Sequence, residues 1–480
     1  MKQASCIVRL FVGVLLASFS PKQAIASGVV GTGTSGTCNE AALDGALAGG
    51  GNVTFNCGAQ PFTITLSAPK TIGLDTEIDG GGLLTLSGGR KVRLFEISAG
   101  VSLTLRNASV TRANGPPPSC TPPYMTCFSG GAIYNQGMLD VTNCVFSDNR
   151  GDPGAAIIAF PAPGEGSPST TVTNCTFVRN GWTSAVFSAG GLTITDTTFS
   201  HNRSPSGDGV ISNEGDLIVT NSTFVHNSAA GSGGAIDNEG VASVSDCTFT
   251  DNRVTNYGAV GGAIANGDGG SPATLTVIDS TFSRNRSGKV DLVSDHSLGG
   301  GAIWSGGGTV VVANSTFDHN STPSIGDGGA IANTATAGPG TLTVLNATFS
   351  RNRSRRGGAI YSVGPLSLLN TIIANNSYGG TNCAGSGAIT DGGGNLRWPA
   401  TDTSCVGTFG NPMLAPLADN GGPTPTMALQ RGSAAINAGD NAICAAALVN
   451  GLDQRAFVRP GIGVTNCSIG AYEYNAVVGP

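Results

Sequence analysis

Charge is scarce in this sequence. Asp, Glu, Lys and Arg make up 11% of its 480 residues, against about 25% in ordinary soluble domains. The polar surface must therefore be built from Ser, Thr and Asn, as in many extracellular β proteins. No basic stripe is visible along the chain and the net charge is −6, so nucleic acid is not an expected partner. No Cys or His spacing has the form of a zinc site. Long apolar runs are missing as well: past residue 26 nothing approaches the roughly 18 apolar residues of a membrane helix. Gly 74 and Pro 24 together are about a fifth of the chain, below the roughly 25–30% of disorder-prone sequences.

What is present begins with an export signal over residues 1–26: Lys2 and Arg9, the apolar run Leu10 to Phe19, then Ala24-Ile25-Ala26 as a cleavage box. Cys6 precedes the apolar run and is not a lipid-attachment cysteine. The protein is expected to be secreted or held at the cell surface after cleavage near Ala26. In that oxidising setting cysteines pair. Closeness in sequence suggests Cys38–Cys57, Cys120–Cys127, Cys383–Cys405 and Cys444–Cys467. Cys144, Cys175 and Cys247 are left as buried thiols, a Cys144–Cys175 bond being geometrically awkward.

Between about residues 105 and 376 one unit is written repeatedly. Gly-Gly-Ala-Ile stands at Gly130–Ile133, Gly233–Ile236, Gly261–Ile264, Gly300–Ile303, Gly328–Ile331 and Gly357–Ile360, with looser copies at Gly154–Ile157 and Gly209–Ile211. Phe-x-x-Asn stands at Phe146/Asn149, Phe177/Asn180, Phe199/Asn202, Phe224/Asn227, Phe249/Asn252, Phe282/Asn285, Phe317/Asn320 and Phe349/Asn352, and Ile373/Asn376 closes the series. Successive steps are 31, 22, 25, 25, 33, 35, 32 and 24 residues, the signature of a solenoid. Apolar residues alternate (Leu342 and Val344, Leu275 and Val277) without helical spacing. Two short strands per unit, stacked in parallel, give a right-handed parallel β-helix. Its Phe column stacks in the core, its Asn column forms an amide ladder, and the small residues two before each Phe fit tight bends.

The rest of the chain divides around this body. Residues 27–51 read as a flexible leader and a short helix (Ala42, Leu43, Ala46 and Leu47 on one face) that closes the open first coil. Residues 52–376 are the β-helix. Residues 377–480 lose the period and read as a C-terminal cap wrapped over the last coil. Insertions follow the Gly-Gly-Ala-Ile segment (Ala159–Thr170, Gly267–Pro272, Thr334–Gly340) or the Phe-x-x-Asn segment (Ser287–Gly299, Ala113–Ser129). Loops at fixed repeat positions line one side, where such folds bind.

The repeats resemble those of chlamydial polymorphic outer-membrane proteins. The mature chain is similar to bacterial right-handed β-helix proteins with a choice-of-anchor Q module, through Asp419–Thr424, Ile436–Asp440 and Ile469–Glu473. In that family the module precedes a surface anchor. Here Tyr474 to Pro480 leave no room for one, so free secretion is expected. The fold also resembles pectate lyases and polygalacturonases, which keeps an enzyme in view, although fold alone grants no function.

An acidic-polysaccharide hydrolase needs converging carboxylates, and a lyase needs a cation and a base. The residue before each ladder Asn is charged: Asp148, Arg179, His201, His226, Asp251, Arg284, His319, Arg351. Stacking would bring His201, His226 and Asp251 into a row. The plainer reading is a solvated edge of mixed charge. Lys289, Asp291, Asp295 and His296 lie in a long loop that could cover that row or simply vary. Asp79 sits in an Asp-Gly turn. Asp419, Asp440 and Asp453 could collect Ca²⁺ but lack a tight acidic loop, so turn capping is preferred and no cofactor is expected. Two functions remain: a monomeric, non-catalytic adhesion or glycan-binding protein, and a secreted polysaccharide lyase or hydrolase.

Overall fold

The computed structural model describes residues 28–115, 130–288, 299–323, 326–376 and 381–479. The export signal at 1–26, the Cys120–Cys127 pair and the loop residues Lys289, Asp291, Asp295 and His296 lie outside them. The described chain winds as successive coils whose strands pair in parallel with the equivalent strands above and below. Leu192 sits against Leu217, Phe199 against Phe224, and Ile211 against Ile236. The strands collect into sheets of 26, 12 and 5 members among the described residues.

Each coil carries more strand than the expected two segments. In one full turn Ile236–Asn238 lies on the second sheet, Val241–Ser245 and Thr248–Thr250 on the first, and Arg253–Val254 on the third. The two strands on the first sheet are split by Asp246, whose φ of 54° is left-handed. The third sheet, two residues wide, lies just after Phe-x-x-Asn and is too short to show as alternation.

The Gly-Gly pairs mark the corner entering the second sheet. Gly233 takes φ 66°, where a side chain is disfavoured. A Cβ on Gly234 would strike the carbonyl of Gly262 in the next coil. One glycine is required by conformation, the other by close approach.

Inside, Phe146, Phe177, Phe199, Phe224, Phe249, Phe282, Phe317 and Phe349 are fully buried. Their rings stack with centroids 4.6–4.9 Å apart and planes within 11°. The asparagine ladder runs through Asn149, Asn180, Asn202, Asn227, Asn252, Asn285, Asn320 and Asn352 to Asn376, each Nδ2 donating to the next Oδ1 at 2.8–3.1 Å. From Asn180 on, the same Nδ2 also donates to the phenylalanine carbonyl of the preceding coil. Asn320 shows the pattern in one residue: it is fully buried and donates at 2.9 Å to both Asn352 Oδ1 and the Phe282 carbonyl. Each amide is thereby satisfied in a place where an unmade bond would cost about 1–3 kcal/mol. A second buried ladder, Asn213 to Asn238 to Asn266, runs at 2.8 Å per step along the turn between the second and first sheets. Cys144, Cys175 and Cys247 are free buried thiols.

The ends differ from the sequence reading. Gly28–Val30 is no loose leader: it is a strand pairing with Val53–Phe55. Helix Glu40–Leu47, capped by Asn39, buries Leu43 and Ala46 against it, and Cys38 is bonded to Cys57. The coil also continues past Asn376. Cys383–Ala384, Ile389–Asp391 and Leu396–Trp398 pair with the three strands below them. Arg397 occupies the aromatic position in this last turn, so the motif fades before the coil does.

The tail does more than cover the last coil. It turns back along the flank of the first sheet, crossing several coils. Gly470 N–H donates to the Asn370 carbonyl, Ala471 N–H to Thr348 Oγ1, Asn314 Nδ2 to the Leu452 carbonyl, and Thr424 Oγ1 to the Asp279 carbonyl. The outward residues of Thr281–Ser283, Thr316–Asp318 and Thr348–Ser350 are consequently buried. Those of Thr176–Val178, Thr198–Ser200 and Thr223–Val225 are half-buried. Cys383–Cys405 and Cys444–Cys467 are bonded within this terminal region. No helix among the described residues is long and apolar enough to cross a membrane.

Candidate functional site

The turn between the first and third sheets decides which side chains face outward. The residue before each ladder Asn is left-handed, from Arg179 at φ 53° to Arg351 at φ 58°. Such a residue is unfavourable unless its neighbours hold it; here the buried Asn that follows does. The side chains on either side of the Asn therefore project to solvent in two adjacent columns.

The first column is the charged row. His201 stands over His226 with ring centroids 5.1 Å apart, tilted by 45°. Asp251 does not join them: its carboxylate is held by Arg284 in the next coil, Nη2 to Oδ2 at 2.8 Å. Asp148 pairs with Arg179 at 2.9 Å, and Asp318 with both Arg351 at 3.0 Å and His319 at 2.9 Å. The Arg179 guanidinium holds the Asp148 carboxyl below its usual range. Asp148 and Asp251 are committed to arginines, and the carboxylate that meets an imidazole, Asp318 beside His319, is also held by Arg351.

The second column corrects the reading that the chain has no basic stripe. Arg150, Gly181, Arg203, Ser228 and Arg253 are in register on the third sheet, and Arg286, Ser321 and Arg353 continue the line by single bridges. All five arginines are exposed. No carboxylate among the described residues pairs with Arg150, Arg203, Arg253 or Arg286. In sequence those four are 33 to 53 positions apart, too dilute to register as a charge run. The signal that could have revealed the column is the dipeptide Asn-Arg, repeated at Asn149, Asn202, Asn252, Asn285 and Asn352. The ladder members Asn180, Asn227 and Asn320 interrupt it, because Gly181, Ser228 and Ser321 follow them.

Two hollows open on this column. One, of about 320 Å³, is lined by Arg150, Arg179, Trp182, His201, Arg203 and Pro205. The other, of about 630 Å³, is lined by Arg253, Arg286, Tyr257 and Pro323 among others. Each thus combines guanidinium groups with an aromatic ring at the surface: Trp182 is 55% and Tyr257 68% exposed. Trp182 is also held at φ 119°, a strained setting for a bulky residue of the kind that clusters at working surfaces.

The other acids singled out in the sequence have structural partners. Asp79 accepts from the Gly81 N–H and Asn107 Nδ2. Asp419 accepts from the Gly421 N–H, and Asp440 caps the helix Asn441–Cys444. Asp453 pairs with buried Arg455 at 2.6 Å, and Arg455 lies between the rings of Phe457 and Tyr472 at 4.1 and 3.7 Å. These three tail acids form no common cluster among the described residues.

Residues 124–282 match the family model of the right handed beta helix region. The parallel register of the coils agrees with it. The fold is a right-handed parallel β-helix. Residues 346–363 match the Chlamydia polymorphic membrane protein repeat. No curated protein matches the chain in sequence. Among solved structures, PfbA, a surface adhesin of Streptococcus pneumoniae, aligns over 85% of this chain and 99% of its own, at 12% identity and a TM-score of 0.35. The A-module of a mannuronan C-5 epimerase from Azotobacter vinelandii aligns over 79% of this β-helix and 98% of its own length, at 12% identity and a TM-score of 0.27. Alignments this loose carry nothing about what this β-helix binds.

Proposed function

We propose that this β-helix is a secreted or cell-surface interaction protein that binds acidic glycans along the arginine column. The observation that carries the reading is the row of exposed guanidiniums, four of them without a carboxylate partner among the described residues, beside exposed Trp182. A guanidinium fork suits a carboxylate or sulfate bidentately, and an aromatic face offers a platform to the apolar side of a sugar ring. A rigid solenoid that presents a guanidinium at every second coil along most of the column, roughly 10 Å apart, and in adjacent coils at Arg253 and Arg286, favours an extended, repetitive polyanion. The net charge of −6 opposes the broad basic footprint that nucleic acid requires. Three disulfides among the described residues support an oxidising, extracytoplasmic setting.

The test is binding of the purified protein to immobilised heparin and polygalacturonate over a salt series. Binding should weaken steeply with ionic strength and fall in an R203A/R253A/R286A variant and in W182A, with the fold intact by circular dichroism. Equal binding by the variants, or preference for DNA over both polysaccharides, would overturn the reading. A lyase remains a second reading because His201 shares its hollow with Arg203. Growth of unsaturated-uronate absorbance during the incubation would favour it.

A further inference from the structure

Four acids gather on the outer side of the second sheet, away from the arginine column. Asp237 is the outward residue of strand Ile236–Asn238, and Glu239 follows in the turn. Asp268 comes from the equivalent turn of the next coil. One oxygen from each of these three carboxylates lies within 4.8 Å of the others. Asp208, from the insertion one coil earlier, adds its charge to the group; no Lys or Arg among the described residues pairs with any of the four.

An acidic cluster is a common feature of protein surfaces. Here one member is trapped. Asp237 is 5% exposed, and its Oδ1 has no hydrogen-bond partner. A carboxylate in that position is costly unless something supplies positive charge. Its neighbours cannot: Glu239 Oε1 is already occupied by the N–H groups of Asp268 and Gly269, both at 2.8 Å, and Asp208 Oδ1 by the N–H of Ser232 at 2.7 Å. Those bonds fix the two carboxylates beside Asp237 without neutralising them.

We propose that Asp237, Glu239 and Asp268 form a divalent-cation site, suited to Ca²⁺, that ties adjacent coils together. Ca²⁺ accepts oxygen ligands at about 2.3–2.6 Å in flexible geometry. Its ligand atoms can therefore be no more than roughly 5 Å apart, which the 4.8 Å spread satisfies. An all-carboxylate set with no Cys or His is wrong for structural zinc. The solvent-facing side at Asp268 leaves room for the waters that complete the shell. Burial and the surrounding acids push the Asp237 carboxyl well above its usual range, so a cation there competes with a proton. The cation would pin the Gly267–Pro272 insertion, through Asp268, to the strand and turn that carry Asp237 and Glu239 in the coil before it.

Terbium luminescence and thermal unfolding of the full chain, with EDTA or with CaCl₂, decide the matter. Stoichiometric terbium emission displaced by Ca²⁺, with a Ca²⁺-dependent rise in Tm that is lost in D237N and E239Q, is the expected result. The D419N variant should keep both signals, since Asp419 lies outside the cluster. Absence of emission and of any Tm shift with Ca²⁺, Mg²⁺ or Mn²⁺ would overturn the site, as would full retention of binding in D237N. If D237N unfolds, D268N, at the solvent-facing edge, serves in its place.

Discussion

At the scale of single residues, the buried asparagines hold more than their size suggests. Asn227 accepts from the backbone N–H and side-chain amide of Asn202 and donates to Asn252 and to the Phe199 carbonyl. Asn227→Leu keeps the shape and removes all four bonds, leaving several buried polar groups unpaired at about 1–3 kcal/mol each. The expected loss is about 4 kcal/mol by urea unfolding, comparable with the roughly 3–5 kcal/mol of Phe224→Ala from the adjoining stack. A loss below about 1 kcal/mol would show that the ladder is not what holds the turn. Cys247 makes a second case. Burial pushes its thiol up to about 12, and it is fully inaccessible, so it should resist maleimide in the native protein at pH 8 and react only on unfolding. Rapid native labelling would contradict its place in the core. These columns are legible in the sequence because a core position must recur with the same chemistry in every coil. The arginine column is not legible in the same way, because its members alternate with Gly and Ser and nothing in the core demands them.

At the scale of elements, the N-terminal helix depends on one carboxylate. Glu40 accepts from the Ser67 N–H and hydroxyl and pairs with Lys70 at 2.7 Å; Lys70 also reaches Asp44 at 2.7 Å. Burial alone would raise the Glu40 carboxyl, but the Lys70 and Ser67 bonds outweigh it and bring it down to about 2 from 4.5. A folded value below the unfolded one means a contribution fully present above about pH 4.5 and lost as pH falls toward 2. Discounted for solvent exposure, it is worth about 1 kcal/mol. Glu40→Gln should therefore destabilise the helix at pH 7 and not at pH 2, read by amide exchange at Leu43 and Ala46. An equal effect at both values would assign the loss to packing instead. The helix itself is readable from Asn39 and the spacing of Leu43 and Ala46. The strand Gly28–Val30 is not, because three residues between Ser and Gly carry too little pattern, and only the vacant edge of Val53–Phe55 makes them a strand.

At the scale of the whole molecule, the β-helix is close to a one-dimensional stack, in which each coil's stability depends on its two neighbours. The tail breaks that locality. Gln454 donates to Thr281 Oγ1 at 2.7 Å and to Thr424 at 2.8 Å, and accepts from Thr316 Oγ1 at 2.6 Å. It thereby joins two coils to a segment 173 and 138 residues further along the chain. Nothing periodic encodes such a contact, which is why the sequence reads as a cap on the last coil when the tail in fact straps several. Arg459, buried and donating to the Ser468 and Gly470 carbonyls, fixes the strap's own turns. A chain ending at Gly410 should keep its coils but expose the outer face of Thr281–Ser283, Thr316–Asp318 and Thr348–Ser350. Amide exchange in those three strands should accelerate, while Thr198–Ser200 and Thr223–Val225, which the tail does not reach, keep their protection. Gln454→Leu in the full-length chain gives the same test without a new terminus: faster exchange confined to Thr281–Ser283 and Thr316–Asp318. Uniform acceleration along the whole solenoid would mean that the coils unfold as one unit, and no acceleration would mean that the tail rests on the flank without strapping it.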